Sequence, residues 1–157
     1  MIEAYRITKQ PSAKKAFSGT GARLYGGRWN SVGVEVVYAS AHRSLSVLEV
    51  LVRMEDDEVG SGAVLIPYLI YPISFDEALL EELSATSLPA DWASSPPAKS
   101  TQQIGDDWVL RAGSPVLSVS SVVVPEERNY VLNPNHMLFA EIQIGHPVRS
   151  KIDPRML

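Results

Sequence analysis

Three side chains of different chemistry stand at regular intervals in the first third of the chain. Arg28 lies in the glycine-rich run 26–30, Tyr38 in the apolar segment 36–40, and Glu49 eleven residues further on. A guanidinium can bind phosphate oxygens through paired hydrogen bonds, and a carboxylate can stabilise positive charge that develops on a sugar. The set is therefore typical of a site that grips an anionic nucleotide and cleaves a bond next to its ribose.

The carboxylate falls in a segment that predicts a helix. His42–Met54 contains no glycine or proline, and Ser40 is a candidate N-cap. Helical periodicity puts Glu49 on one narrow polar stripe of an otherwise apolar helix. The stripe consists of His42, Ser46, Glu49 and Arg53. It faces either a cleft or water, and in the second case Glu49 and Arg53 form an ion pair one turn apart.

The other candidate residues each allow two interpretations. Arg28 is either a phosphate ligand or a surface arginine in a loop that uses glycines only to turn. Tyr38 either stacks on a ligand ring or is a core tyrosine with a satisfied hydroxyl. Alternation in the segment 117–123 places Ser121 on an apolar face, where its hydroxyl either bonds nearby backbone or reaches into a pocket.

The pattern of elements predicts a single α+β domain over residues 1–157, with mixed short strands and a few helices. A long loop is expected at Phe17–Ser31 and another at Ser84–Ser100. Besides the helix of Glu49, helices are expected at Asp76–Leu83 and Thr101–Arg111. Strands are expected at Ile2–Thr8, Glu35–Ala39, Ala63–Tyr71, Val116–Val124, Tyr130–Leu132 and Leu138–Ile144.

Composition excludes several classes of function. The chain has 157 residues and a net charge of −4, which argues against a nucleic-acid-binding surface. It has no cysteine and only three scattered histidines, so no metal site is expected. No apolar run is long enough to span a bilayer, and no secretory signal is visible. A cytoplasmic protein without membrane contact is the expectation.

Several motifs together resemble the RES domain, and the resemblance covers nearly the whole chain. They are Tyr5-Arg6, Gly26-Gly27-Arg28-Trp29-Asn30, Val37-Tyr38-Ala39-Ser40, Leu45-x-x-Leu48-Glu49, Leu88-Pro89-Ala90-Asp91-Trp92, Ser100-Thr101-Gln102-Gln103-Ile104-Gly105-Asp106-x-Trp108, Val119-Ser120-Ser121 and Glu127-x-Asn129-Tyr130-Val131-Leu132-Asn133-Pro134-x-His136. Each motif is weak alone, and the combination is specific. Ser120 departs from the family pattern, which usually has proline there, but Ser121 is in place.

The resemblance implies a fold similar to ADP-ribosyltransferases and a toxin that degrades NAD by cleaving its nicotinamide–ribose bond. NAD would be a substrate rather than a bound cofactor, with inorganic phosphate as a co-substrate if the cleavage is phosphorolysis. The family's Arg, Glu and Ser would be Arg28, Glu49 and Ser121, with Tyr38 completing the site. Arg6 and His42 are candidates for supporting contacts and substrate binding.

The resemblance also implies a partner, an Xre-like antitoxin that occludes the active site. The acceptor of the ADP-ribose group stays open among phosphate, water and a protein side chain. The alternatives are therefore a mono-ADP-ribosyltransferase that modifies a host protein, and a non-catalytic nucleotide-binding module. Self-association as a homodimer through an exposed strand is a further open possibility.

Overall fold

A single curled sheet organises the chain. The computed structural model describes residues 1–54 and 67–157. The strands are β1 (Ile2–Thr8), β2 (Val37–Ser40), β3 (Tyr68–Phe75), β4 (Leu80–Glu82), β5 (Val116–Ser120), β6 (Arg128–Leu132), β7 (Gln143–Ile144) and β8 (Val148–Ser150). Their order is β4-β5-β6-β2-β1-β3-β7, and β8 also pairs with β3. The predicted α+β class, with short strands of mixed direction and few helices, is confirmed.

Within the described residues, four α-helices accompany the sheet. They are α1 (Ala13–Ala16), α2 (Thr20–Tyr25), α3 (Arg43–Leu51) and α4 (Lys99–Arg111). None of the helices in the described ranges is long and apolar enough to cross a bilayer. All described strand pairs are antiparallel except β4 with β5.

Apolar residues alternate along the strands and form a core on each face of the sheet. Val116 and Leu132 belong to one buried cluster, together with Phe17 after α1. Leu117 and Val131 point the opposite way and pack in a second cluster beneath Trp108 of α4. The Tyr38 side chain packs against this second cluster, so the face that α4 covers is the face of the candidate site.

The glycine-rich segment Phe17–Ser31 is not one loop, because α2 lies within it. Gly19 and Gly26 flank this helix with φ of 77° and 70°, which indicates turns at both ends. Its N-cap is Gly19, so no side chain caps the start of the helix. It is stabilised instead by tertiary bonds, including one from Asn30 Nδ2 to the Ala22 carbonyl oxygen.

The prediction of a helix at Asp76–Leu83 is also wrong. A short 3₁₀ turn covers Glu77–Leu79, and the chain then enters β4, which pairs with β5. The predicted strand Val116–Val124 ends at Ser120, and most of Leu138–Ile144 is not strand, since a 3₁₀ turn occupies Phe139–Glu141. In each case the local sequence preference is overridden by strand pairing: β4 forms because it finds a partner strand, and the two predicted strands are shorter than predicted because some of their residues have none.

The remaining boundaries differ by a few residues. His42, not Ser40, is the N-cap of α3, and its side chain makes no capping bond. The helix near the predicted Thr101–Arg111 begins at Lys99 and ends before Ala112, whose φ is 51°. Ala63–Tyr71 was predicted as a strand, and its part before residue 67 lies outside the described residues. The part that is described belongs to β3 from Tyr68 onward.

Candidate active site

Glu49 lies in the last turn of α3 and points toward the sheet. Its Oε1 accepts a hydrogen bond from the Ser121 hydroxyl at 2.8 Å and one from Asn129 Nδ2 at 2.6 Å. Both donors are neutral, so no cation compensates this half-buried carboxylate through direct contact in the described part of the chain. A charged oxygen bound by two fixed donors is well placed to act on a ligand.

Ser121 follows β5 in a tight turn. Its Oγ accepts hydrogen bonds from the backbone amides of Val123 and Val124, each at 3.1 Å, and donates to Glu49. The Ser121 amide donates to the Glu127 carbonyl oxygen. The hydroxyl bonds local backbone, as one of the two sequence interpretations expects, and it also meets the carboxylate. The two amide donors leave its proton directed at Glu49.

Two backbone carbonyl oxygens bind one side of the Arg28 guanidinium. Its Nη1 donates to the carbonyl oxygens of Trp92 and Ser94, both at 2.8 Å. Burial lowers the pKa of Arg28, and the nearby positive charge of Arg53 lowers it further, whereas Glu49 and Tyr38 raise it. Arg28 is thus a half-buried guanidinium within electrostatic reach of Glu49 rather than a free surface arginine.

The Tyr38 hydroxyl organises the loop that carries Arg28. It donates to Asn30 Oδ1 at 2.6 Å and accepts from the Trp29 amide at 3.1 Å. Burial is the main reason that the pKa of Tyr38 is raised. A Cβ on Gly27 would lie 2.7 Å from this hydroxyl, so the loop needs glycine there. Tyr38 therefore has a satisfied hydroxyl, and its contribution to the site passes through the loop.

Arg6 occupies the place where β1 and β2 separate. The two strands pair only at Tyr5 and Ser40. Beyond that point Arg6 donates from Nη1 to the Tyr38 carbonyl oxygen and from Nε to the Ala16 carbonyl oxygen. Burial, followed by the charge of Arg53, lowers the pKa of Arg6 to about 10. Arg6 remains charged at neutral pH and supports the strand that carries Tyr38.

Arg53 was considered only as an ion-pair partner of Glu49, and that interpretation is wrong. Its Nε donates to the Glu49 carbonyl oxygen at 2.9 Å, and no ion pair joins the two side chains. Its charge lowers the pKa of both Arg6 and Arg28, so Arg53 is within electrostatic reach of both guanidiniums. Within the residues described, none of them forms an ion pair with a carboxylate. Arg28 and Arg53 place positive charge near Glu49.

His42 lies apart from this group. Its exposed ring pairs through Nδ1 with Glu127 Oε2 at 3.1 Å. It also lines an open cavity of about 730 Å³ with Tyr5 and Arg43, whose guanidinium stacks 4.9 Å from the tyrosine ring. Seven residues separate it from Glu49, roughly 10 Å along a helix. Its link to the site is indirect, because Glu127 also accepts the Ser121 amide hydrogen bond.

Three polar residues of the site were not singled out as functional from the sequence. Asn129 binds Glu49, buried Asn30 donates to three carbonyl oxygens, and Asp106 accepts two bonds from Ser31. Asn30, Asp106 and Asn129 all lie in the motifs quoted for the family resemblance, which is the only signal that could have found them. Across residues 1–54 and 67–157, no group of three or more His, Cys, Asp or Glu side chains could hold a metal ion.

Comparison with known proteins agrees with this architecture. The Toxin Res of Photorhabdus laumondii subsp. laumondii is 41% identical over 130 residues, which are 83% of this chain and 80% of that protein. The Prs ADP-ribosylating toxin of a Sphingobium species is 37% identical over 142 residues, 89% of this chain and 86% of that protein.

A solved structure shares the fold. The crystal structure of the M. tuberculosis MbcT–MbcA toxin–antitoxin complex contains a chain that matches with a TM-score of 0.74 at 17% sequence identity. The match covers 99% of this chain and 86% of that chain. A sequence model described as the RES domain matches residues 3–153. The chain therefore belongs to the RES domain family.

Proposed function

We propose that this protein is the toxin of a toxin–antitoxin pair and that it consumes NAD at the site around Glu49. One observation carries the proposal. The carboxylate is held by Ser121 and Asn129 through a single oxygen, within electrostatic reach of the guanidinium of Arg28. A site with one oriented carboxylate, and with guanidiniums that form no ion pair in the described part of the chain, suits a substrate that combines a pyrophosphate with a cleavable ribose bond.

The chemistry assigns a role to each group. The bond between ribose C1′ and the nicotinamide nitrogen breaks, and its electron pair leaves with nicotinamide. Positive charge then develops on the ribose, and Glu49 stabilises it. Arg28 holds the pyrophosphate, and Arg6 and Arg53 add positive charge around it. Ser121 orients the carboxylate, and Tyr38 keeps the Arg28 loop in place.

The acceptor that bonds to C1′ defines the reaction. Inorganic phosphate yields ADP-ribose phosphate, and water yields ADP-ribose and a proton. The second candidate is transfer to a protein side chain. The Sphingobium relative, which is named an ADP-ribosylating toxin, favours that alternative. Phosphate is our first choice because Arg28 and Arg53, which form no ion pair within the described residues, can bind an additional anion beside the pyrophosphate.

The test is to incubate purified protein with NAD, with and without inorganic phosphate, and to resolve the products by chromatography and mass. We expect phosphate-dependent loss of NAD with release of nicotinamide. Glu49→Gln keeps the side-chain volume and should lower the rate by at least about 10²–10³-fold. Glu141→Gln, at an exposed position, is the matched control and should be fully active. An active Glu49→Gln variant would disprove the site.

A second arm of the same experiment detects a protein acceptor. NAD labelled on its adenosine is incubated with the toxin and a bacterial lysate, and labelled proteins are separated by mass. Label on protein that requires Glu49 would establish ADP-ribosylation in place of phosphorolysis. If NAD stays intact in every arm, the chain is a non-catalytic nucleotide-binding module and the proposed reaction is wrong.

A partner belongs to the proposal because an enzyme that depletes NAD has to be inhibited in the cell that makes it. One solved structure that shares the fold is a toxin–antitoxin complex. We expect an Xre-like antitoxin that covers the cleft at Glu49. Induced expression of the wild-type chain alone should arrest bacterial growth, and Glu49→Gln should not. Normal growth with wild-type protein at verified levels would contradict the toxin assignment.

A further inference from the structure

The two oxygens of the Glu49 carboxylate have different surroundings. Oε1 accepts from both Asn129 Nδ2 and Ser121 Oγ, whereas no donor among the described residues bonds Oε2. Two bonds to one oxygen restrict rotation of the carboxylate about its last torsion, which is otherwise soft. Oε2 is therefore the oxygen that this arrangement presents to a ligand.

Asn129 is itself oriented by a third residue. Ser40 Oγ donates to Asn129 Oδ1 at 2.8 Å, so the amide nitrogen is the end that faces Glu49. Ser40 on β2 and Asn129 on β6 are direct register partners, and Asn129 is also opposite Val119 on β5. The chain of bonds from Ser40 through Asn129 to Glu49 thus begins on paired strands inside the sheet, where side-chain positions are well determined.

The bond to Asn129 is not what attaches α3 to the sheet. Val50 and Leu51 pack against buried Tyr68 and Ile152, and Leu45 is fully buried at the other end of the helix. A purely structural contact would gain more from an apolar residue here than from an amide bound to a carboxylate, since polar groups lose hydration on burial. The arrangement instead orients Glu49.

We propose that Asn129 is a positioning residue for Glu49, fixed by Ser40, which holds Oε1 so that Oε2 faces the nicotinamide ribose. This inference rests on the proposed function. Asn129 acts through Glu49 and touches no substrate. Its removal should therefore reduce kcat and leave KM nearly unchanged.

The first experiment measures steady-state NAD consumption. Asn129→Ala should lower kcat by about 10- to 100-fold, as loss of supporting hydrogen bonds commonly does, with KM within about threefold of wild type. Ser40→Ala should act in the same direction by a smaller factor, and it serves if Asn129→Ala does not fold. Asn135→Ala is the matched control, because Asn135 Nδ2 also donates to a glutamate, Glu35, at 3.0 Å on the surface. The kcat and KM of Asn135→Ala should equal those of the wild type.

The second experiment uses the pH profile. The groups whose charges act on Arg28 at this site are Glu49, Tyr38 and Arg53, and Glu49 is the only carboxylate among them. Asn129→Asp places a second carboxylate against Oε1, and two carboxylates in contact share a proton. The acid limb of kcat should move upward by about one pH unit or more. Asn135→Asp should leave the limb in place.

A third measurement separates this inference from the proposed reaction. The ¹³C resonance of the Glu49 side-chain carboxyl, assigned with Glu49→Gln, requires no NAD. Its chemical shift should change in Asn129→Ala and in Ser40→Ala, and should be the same as in wild type in Asn135→Ala. Folded Asn129→Ala with wild-type kcat, pH profile and carboxyl resonance would overturn the positioning role. Absence of NAD consumption by the wild-type protein would instead overturn the reaction, and the resonance alone would then decide the role of Asn129.

Discussion

Glu49 and Ser121 are 72 residues apart in the chain, yet the Ser121 hydroxyl donates to Glu49 Oε1 at 2.8 Å. Glu49 comes from a helix and Ser121 from the turn after β5, on different sides of the site. The contact joins two parts of the fold at the proposed reacting group. It also explains why a serine occupies a buried position among apolar neighbours.

Ser121→Ala removes a donor to the carboxylate and an acceptor for two backbone amides. We expect a fall in kcat of roughly 10- to 100-fold and a loss of about 1–2 kcal/mol in the free energy of unfolding. Ser84→Ala is the control, because Ser84 also accepts a backbone amide bond, from Thr86, in an exposed turn. NAD consumption and urea denaturation measure the two effects. Wild-type kcat in Ser121→Ala would contradict the proposed contact.

Tyr38 should make the protein sensitive to alkaline pH. Burial raises its pKa in the folded state, so between pH 10 and the folded pKa the unfolded chain loses this proton first. The contribution of protonated Tyr38 to the free energy of unfolding is complete below pH 10. It is lost as pH rises, by up to about 1.4 kcal/mol per pH unit.

Tyr38→Phe should therefore flatten the alkaline fall in stability, measured by denaturation from pH 8 to 11. At neutral pH the same variant should lose about 1–3 kcal/mol, because Asn30 and the Trp29 amide lose their partner. Tyr25→Phe, at a residue that is 84% exposed, should change neither quantity. Equal alkaline slopes for wild type and Tyr38→Phe would refute the assignment.

Gly105 allows α4 to approach the Arg28 loop. A Cβ at this position would lie 1.6 Å from the Trp29 carbonyl oxygen, which is backbone and cannot move aside alone. Gly105→Ala should cost about 3 kcal/mol or more in unfolding free energy. Gly21→Ala is the control, since nothing lies within 4 Å of the added carbon. Thermal melts of the two variants check this, and similar melting temperatures would show that the approach is not tight.

Arg28 should bind a pyrophosphate, with Arg6 and Arg53 adding positive charge around it. Inorganic pyrophosphate at a hundred times its Kd should add about 2.7 kcal/mol of stability, visible as a higher melting temperature at constant ionic strength. Arg28→Gln should remove most of this shift. Arg155→Gln, at a side chain that is 90% exposed, should retain it. A shift that sodium chloride reproduces at equal ionic strength would indicate screening and not a site.

Local pattern was sufficient for much of the protein. Alternation identified β1, and the absence of glycine and proline identified the helix that carries Glu49. The motifs around Arg28, Tyr38, Glu49 and Ser121 identified the family, which the match over residues 3–153 confirms. These features depend on side chains near one another in the chain, so a sequence records them directly.

Contacts between distant residues required the tertiary structure. The helix α2 lies in a glycine-rich run where local rules predict a loop, and its Ala22 packs against the buried cluster that includes the distant residues Trp108 and Val131. The strand β4 forms where local rules predict a helix, because it pairs with β5. The same holds for Asn129, whose amide meets Glu49 across 80 residues. Its role depends on the register of β2 with β6 and on where α3 packs. Those are set by the summed packing and hydrogen bonding of the whole fold, and no short segment encodes them.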